Sequence, residues 1–200
     1  MECKNLILAS GSPRRKELLE QIGLVAEICP SGIDEVVTSS VPEEVVLELS
    51  SQKAQDVADR SPVGSIILGA DTVVAADGLI LGKPKNHEEA YEMIKRIQGQ
   101  THQVYTGVTI LKKEENGSHG TSFAVRTDVH VFPMSEEEII SYAQSEEPMD
   151  KAGAYGIQGR FAAYIEGITG DYSNVVGLPA GRVYQELKRF YENGEEESYD

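Results

Sequence analysis

Along this chain, short continuous apolar runs alternate with stretches where apolar residues recur every three to four positions, and the two periods separate strands from helices. Leu6-Ile7-Leu8-Ala9 is a continuous run that predicts a buried strand, and Ser10-Gly11 end it. Ser12 stands where a helix N-cap belongs, with Pro13 at the first helical position. That helix carries Leu18, Leu19 and Ile22 on one face and stops at Gly23. Leu24–Ile28 predicts a second strand, and a loop follows around Ser31-Gly32-Ile33-Asp34-Glu35. A second helix starts near Pro42 with Glu43 and Glu44 in its first turn, where the macrodipole favours them. Val45, Val46, Leu49, Val57 and Ala58 keep the helical period, with Lys53 on the same helix.

Ile66–Ala70 is the next buried strand, and it runs into Asp71-Thr72-Val73-Val74. Asp77-Gly78 signals a two-residue hairpin leading to Leu79-Ile80-Leu81. Asn86 with Glu89 opens a helix that Gly99 ends. Two long strands follow, 102–111 and 121–132, with Asn116-Gly117 fitting the hairpin between them. Phe123, Val125, Val129 and Val131 alternate with polar residues, so one face is buried. Ser135 with Glu138 forms a capping box. A glycine-rich loop, short strands around Phe161–Ile165 and Val175–Val176, and a helix from Pro179 to about Tyr191 complete the pattern. Helix and strand alternate early and hairpins dominate later, which predicts one α/β domain over residues 1–191 with a mixed sheet. A two-lobed shape with a cleft is compatible with this order, but no boundary between lobes can be placed.

Composition narrows the function classes. Of 200 residues, 40% are hydrophobic and 26% charged, the profile of an ordinary globular chain. No apolar run approaches the ~20 residues of a membrane span, and the N-terminal run is too short for a signal peptide. Two cysteines exclude a disulfide scaffold and a thiolate zinc site, so the expected compartment is the cytoplasm. The net charge of −15 argues against nucleic acid and anionic membranes as partners. Residues 192–200 carry five negative charges and no positive one, and are expected to be a solvated, disordered tail. Lys4, Arg14, Arg15 and Lys16 leave the first segment basic, which points to a small anionic ligand.

Familiar motifs are absent: Gly64 to Gly69 is not continued by Lys-Ser/Thr as in a P-loop, and neither G-x-S-x-G nor H-E-x-x-H occurs. Five features carry candidate chemistry, each beside a plainer explanation. Ser10-Gly11-Ser12-Pro13-Arg14-Arg15 joins a strand to a helix N-terminus, which suits an anion, or is a capped helix with two surface arginines. Asp71 after a buried strand falls in the usual ligand crevice of an α/β sheet, or caps a turn. Asp34-Glu35 suits a hard cation whose shell phosphates complete, or is one acidic loop among many. Lys53 and Lys83 are either placed charges or solvated lysines. Residues 151–159, with three glycines and Gln158, allow close backbone approach to a ligand and read a base edge, or form a surface loop. Together the five fit metal-assisted hydrolysis of a nucleoside triphosphate.

Leu8-Ala9-Ser10-Gly11-Ser12-Pro13-Arg14-Arg15-Lys16-Glu17-Leu18-Leu19, Gly69-Ala70-Asp71-Thr72-Val73-Val74, Gly82-Lys83-Pro84, Thr101-His102-Gln103-Val104-Tyr105-Thr106-Gly107, Asp150 to Gly159 and Asn174 to Pro179 resemble, in order, the motifs of the Maf family, first described as septum-formation inhibitors. The resemblance spans about Asn5 to Phe190. It implies an elongated mixed sheet flanked by helices, two-lobed with a central cleft, like the inosine-triphosphate pyrophosphatases. It implies cleavage between the α- and β-phosphates with a divalent metal, Mg or Mn, and a homodimer. Residue by residue, Asp71 matches the proton acceptor, and Arg15, Thr72 and Gln158 match positions of substrate selection. Ser10, Arg14, Lys53 and Lys83 match polar or basic cleft residues, and Glu35 matches an acidic position suited, with Asp71, to the metal. The 152–159 loop resembles the dTTP/UTP-selective branch, extending to modified pyrimidine nucleotides. A purine triphosphate pyrophosphatase and a nucleotide-binding regulator of cell division without turnover are the rival readings.

Overall fold

The structure, a computed structural model, describes residues 5–196, with the side chains of residues 5–191. One mixed sheet of seven strands forms its centre. The strands are β1 (Leu6–Leu8), β2 (Glu27–Ile28), β3 (Ile66–Ala76), β4 (Leu79–Leu81), β5 (Thr101–Glu114), β6 (Gly117–Val131) and β7 (Ile165–Thr169). The helices are α1 (Pro13–Gln21), α2 (Pro42–Asp59), α3 (His87–Ile97), α4 (Glu136–Ala143), α5 (Tyr172–Val176) and α6 (Ala180–Glu196). The strand order is β2-β1-β3-β5-β6-β7, with β4 folded back on β3. β1 is parallel to both its neighbours, as strands joined through α1 and α2 must be, and β3 to β7 pair antiparallel. The fold is therefore the single α/β domain with a mixed sheet that the sequence predicts.

The two sheet faces are covered differently. α2 packs alone on one, setting Ala54, Val57 and Ala58 against Ile7 and Ile67, and Val46 and Leu49 against Val73. The other face carries two separate cores. One gathers α1 and α6 over Leu8, Leu68 and Val108. The second gathers α3, α4 and the 152–164 turns over Val74, Val104 and Val129. These are the two lobes, and residues of both line the cleft between them.

The cleft enters the sheet where one strand edge is left open. β1 pairs with β3 only at Ile66–Leu68, and β4 only at Val74–Ala76. From Gly69 to Val73 that edge of β3 has no neighbour, while the opposite edge stays paired to β5 throughout. Asp71 thus lies inside a strand rather than directly after one. The Asp71–Gly107 pairing keeps the backbone extended, and the crevice arises because β1, not β3, ends there.

Other expectations shift locally. Leu24 is buried against the first core, but its N–H still bonds the Leu19 carbonyl of the α1 terminus, so the second strand shrinks to Glu27–Ile28. The β5–β6 turn is Glu115-Asn116, one position earlier than expected, because Glu114 pairs with Gly117. Arg160–Tyr164 is a 3₁₀ turn, and Val175–Val176 ends a short helix rather than forming a strand. The Asp171 carboxylate accepts from the amides of Ser173 and Asn174 and starts that helix. α6 continues through Glu196, past the expected end at Tyr191; residues 197–200 of the expected acidic tail lie outside the described residues.

α2 reaches backbone contact with the sheet because Gly69 and Gly107 have no side chain. A Cβ at Gly107 would lie 2.2 Å from the Val46 carbonyl oxygen, and one at Gly69 2.3 Å from that of Ser50. Gly107→Ala must push α2 off the sheet, an overpacking cost of about 2 kcal/mol. The expected outcome is a melting temperature lower by about 4–8 °C. An unchanged melting temperature would mean that α2 has slack here.

Candidate active site

The cleft has a volume of about 440 Å³ and collects segments distant in the chain. Ser10, Arg14, Arg15, Lys53, Asp71, Thr72, Lys83 and Gln158 all line it. Of the candidates named from sequence, Asp34 and Glu35 lie outside the lining, and Glu35 reaches Lys53.

Strand alternation divides the site. Asp71 shares the α2 face with Gly69, where α2 presents Lys53. The Lys53 ammonium donates to Asp71 Oδ1 and lies 2.8 Å from Glu35 Oε1, so one cation draws two carboxylates together. The side chains of Lys53 and Asp71 are 16% and 15% exposed, enough burial to limit screening. Asp34 takes no part in the cluster. Among the described residues no group of three or more His, Cys, Asp or Glu side chains could hold a metal on its own. Two carboxylates facing one point nevertheless suit Mg²⁺ or Mn²⁺ arriving with a triphosphate, because such ions keep waters and take phosphate oxygens as ligands.

Thr72, the next residue, faces the other way. Its hydroxyl meets Thr106 Oγ1 at 2.9 Å and accepts from Arg15 Nη2 at 3.1 Å. Arg15 also donates to Ser10 Oγ at 2.9 Å and to the Gly177 carbonyl at 2.8 Å. Burial lowers its pKa, and the Asp71 carboxylate opposes that shift. This guanidinium is committed largely to the protein: it ties α1, β3 and the end of α5 together. Arg14 is the arginine more open to an anion, and its counter-ion is Asp150 at 3.0 Å across the cleft. Ser12 forms no side-chain cap, and Ser10 Oγ accepts from the Ser12 amide instead, so the first-turn amides of α1 are left without a side-chain acceptor. Lys83 is exposed at the cleft and has no ion-pair partner among the described residues.

The 151–159 loop differs from its sequence reading. A Cβ at Gly153 would strike Val74, at Gly156 Lys151, and at Gly159 the Glu147 carboxylate at 2.2 Å. The glycines therefore admit the protein's own side chains. Glu147 accepts from Tyr142 OH at 2.9 Å and the Arg160 amide at 2.9 Å, fixing the end of the loop that presents Gln158. Beneath the loop, Tyr155 OH meets His102 Nε2 at 2.7 Å. Sequence reasoning missed Glu147, and it met Asp150, Lys151, His102 and Tyr155 only inside longer motifs, without a role of their own. The only signal was local: a Glu-Pro step before a lysine, with no mark of partners so far downstream.

A family model described as Maf-like protein matches residues 5–190. A dTTP/UTP pyrophosphatase of Lachnoclostridium phytofermentans is 50% identical, covering 92% of this chain and 94% of that one. One of Agathobacter rectalis is 51% identical over 92% and 96% of the two chains, and one of Bacillus cereus 48% identical over 94% and 96%. Among solved structures, a HAM1 protein from Coxiella burnetii matches with a TM-score of 0.43 and 14% identity, covering 63% of this chain and 72% of that one.

The buried His102 gives the site a pH signature. Burial, helped by the nearby charge of His130, lowers its pKa from 6.5 to about 4. Above pH about 6.5 the ring is neutral folded or unfolded. Below that, the unfolded chain takes up a proton that the folded one refuses, so stability is lost as pH falls. Urea unfolding should show a loss of about 2–3 kcal/mol from this group between about pH 6.5 and 4.5. His102→Gln should flatten that slope; an equally steep slope would show that His102 does not titrate from a buried state.

Proposed function

The chain belongs to the Maf family, and we propose that it hydrolyses dTTP and UTP, modified pyrimidine nucleotides included, to the nucleoside monophosphate and pyrophosphate. The relatives near half identity bear this name, and the cleft has the matching chemistry. The observation that carries the reading is the Lys53–Asp71–Glu35 cluster in the open edge of β3, ringed by Arg14 and Lys83. Simple binding of an anion needs no carboxylate in its midst, whereas hydrolysis needs a proton acceptor there.

Asp71 Oδ1 is held by Lys53, which leaves Oδ2 to take the proton of the attacking water. The water oxygen bonds to the α-phosphorus, the bond to the bridging oxygen breaks, and pyrophosphate leaves. Lys53, Lys83 and Arg14 offset the negative charge that gathers on the transferring phosphorus and the leaving group. Glu35 and Asp71 are the carboxylates that would hold a divalent metal, which supplies Lewis-acid polarisation of the phosphate oxygens. Val74, Val104 and Ile157 offer apolar surface to a base, and Gln158 can both donate to and accept from a pyrimidine edge. Arg15 and Thr72 act on substrate choice by fixing the cleft wall. A cytoplasmic homodimer accompanies this reading through the family resemblance, and no helix among the described residues is long and apolar enough to cross a membrane.

Pyrophosphate release measured across the common nucleoside triphosphates tests the assignment. UTP and dTTP should exceed ATP and GTP in kcat/KM by at least about tenfold, the value of one lost polar contact. Equal or faster turnover of purine nucleotides would replace the pyrimidine assignment with a purine one.

A further inference from the structure

Glu35 sits on an unusual piece of chain. Residues 30–39 run between β2 and α2 without pairing to any strand, so their backbone groups need other partners. α2 and its C-cap residue Arg60 supply them from one stripe of side chains spaced four residues apart. Arg60 donates to the Pro30 carbonyl at 2.7 Å, and Asp56 accepts from the Gly32 amide at 3.3 Å. Gln52 accepts from the Val36 amide at 3.0 Å and donates to the Val36 carbonyl at 2.6 Å. Glu48 accepts from the Thr38 amide at 2.8 Å, and Glu44 from the Ser39 hydroxyl. The strap thus descends α2 rung by rung, from Arg60 to Glu44.

Gln52 differs from the other rungs. It alone closes both main-chain groups of one residue, as a neighbouring strand would, and that residue directly follows Glu35. Lys53, which receives Glu35, directly follows Gln52. The Glu35 side chain is 47% exposed, and a half-exposed ion pair contributes too little to order a strap by itself. The backbone rung must do so.

We propose that Gln52 is a positioning residue for Glu35: its amide fixes Val36 against α2 and so delivers the Glu35 carboxylate to Lys53 and Asp71. This rests on the reading of Glu35 as a participant in the hydrolysis. Gln52 touches no reacting atom, and it acts only through Glu35.

A double-mutant cycle tests it on the full-length enzyme with UTP as substrate. Gln52→Ala should lower kcat/KM about tenfold, the scale of a modest misplacement. In the Glu35→Ala background the same substitution should cost less than about twofold, because the residue it positions is gone. Glu44→Ala, which removes the terminal rung at the Ser39 hydroxyl, should leave kcat/KM near that of the parent. Amide hydrogen exchange of residues 32–38 should accelerate in Gln52→Ala, with or without Glu35. Gln52→Glu keeps the acceptor for the Val36 amide and loses the donor, so it should fall between; it decides the matter if the alanine variant folds poorly. A full Gln52→Ala penalty without Glu35, or faster exchange with unchanged kcat/KM, would overturn the proposal. Titration with Mg²⁺ separates the underlying reading: if Glu35→Ala lowers turnover without raising the metal requirement, Glu35 is no metal carboxylate, while the coupling to Gln52 is still decided by the cycle.

Discussion

The close seat of α2 on two glycines of the sheet is the constraint on which the site depends. With Gly69 and Gly107 beneath it, the helix backbone comes near enough for Lys53 to reach a side chain of the strand itself, and the residue it meets is Asp71. A larger side chain at either glycine would lift the helix, and the ammonium would lose its carboxylate. Lys53 then gathers Glu35 from the strap along the same helix. The charge cluster is thus a consequence of backbone packing before it is a matter of chemistry.

β3 divides the labour. Because it stays extended through the open edge, alternation sends Asp71 to α2 and Thr72 to the opposite face, where Arg15 joins it to Ser10 and Gly177. The Asp71 carboxylate and the Thr72 hydroxyl are adjacent in sequence yet belong to separate networks. One network holds charge in a partly open cluster. The other is a buried guanidinium clamp whose donors are spent mainly on protein acceptors, which suits a role in shaping the cleft.

Local physics was legible in the sequence where partners are near in the chain. The Asn86 and Ser135 caps, the Asp77-Gly78 turn and the periodicity of α2 all appear as read, because each is decided within a few residues. The residues of the site were legible as chemistry, since acids, bases and glycines stood in suggestive places. Their arrangement was not. Nothing local shows that β1 stops at Leu8 opposite Leu68 while β4 ends opposite Val74, and that gap is what exposes Asp71 inside a strand. Glu147 looks like Glu146 beside it until the fold brings the Arg160 amide to its carboxylate. Likewise, glycine spacing at 153, 156 and 159 cannot tell whether a ligand or the protein fills the space.

In the proposed hydrolysis, Asp71 accepts the proton of the attacking water. Asp71→Asn preserves size and strand conformation but removes both the charge and the capacity to take a proton. Turnover of UTP, nucleotide Kd and melting temperature, measured on one preparation, separate this role from a structural one. The proton-accepting role predicts a fall in kcat of about 10²–10⁴ with the nucleotide still bound, because Arg14, Lys53 and Lys83 remain. Near-wild-type kcat in the folded variant would contradict it.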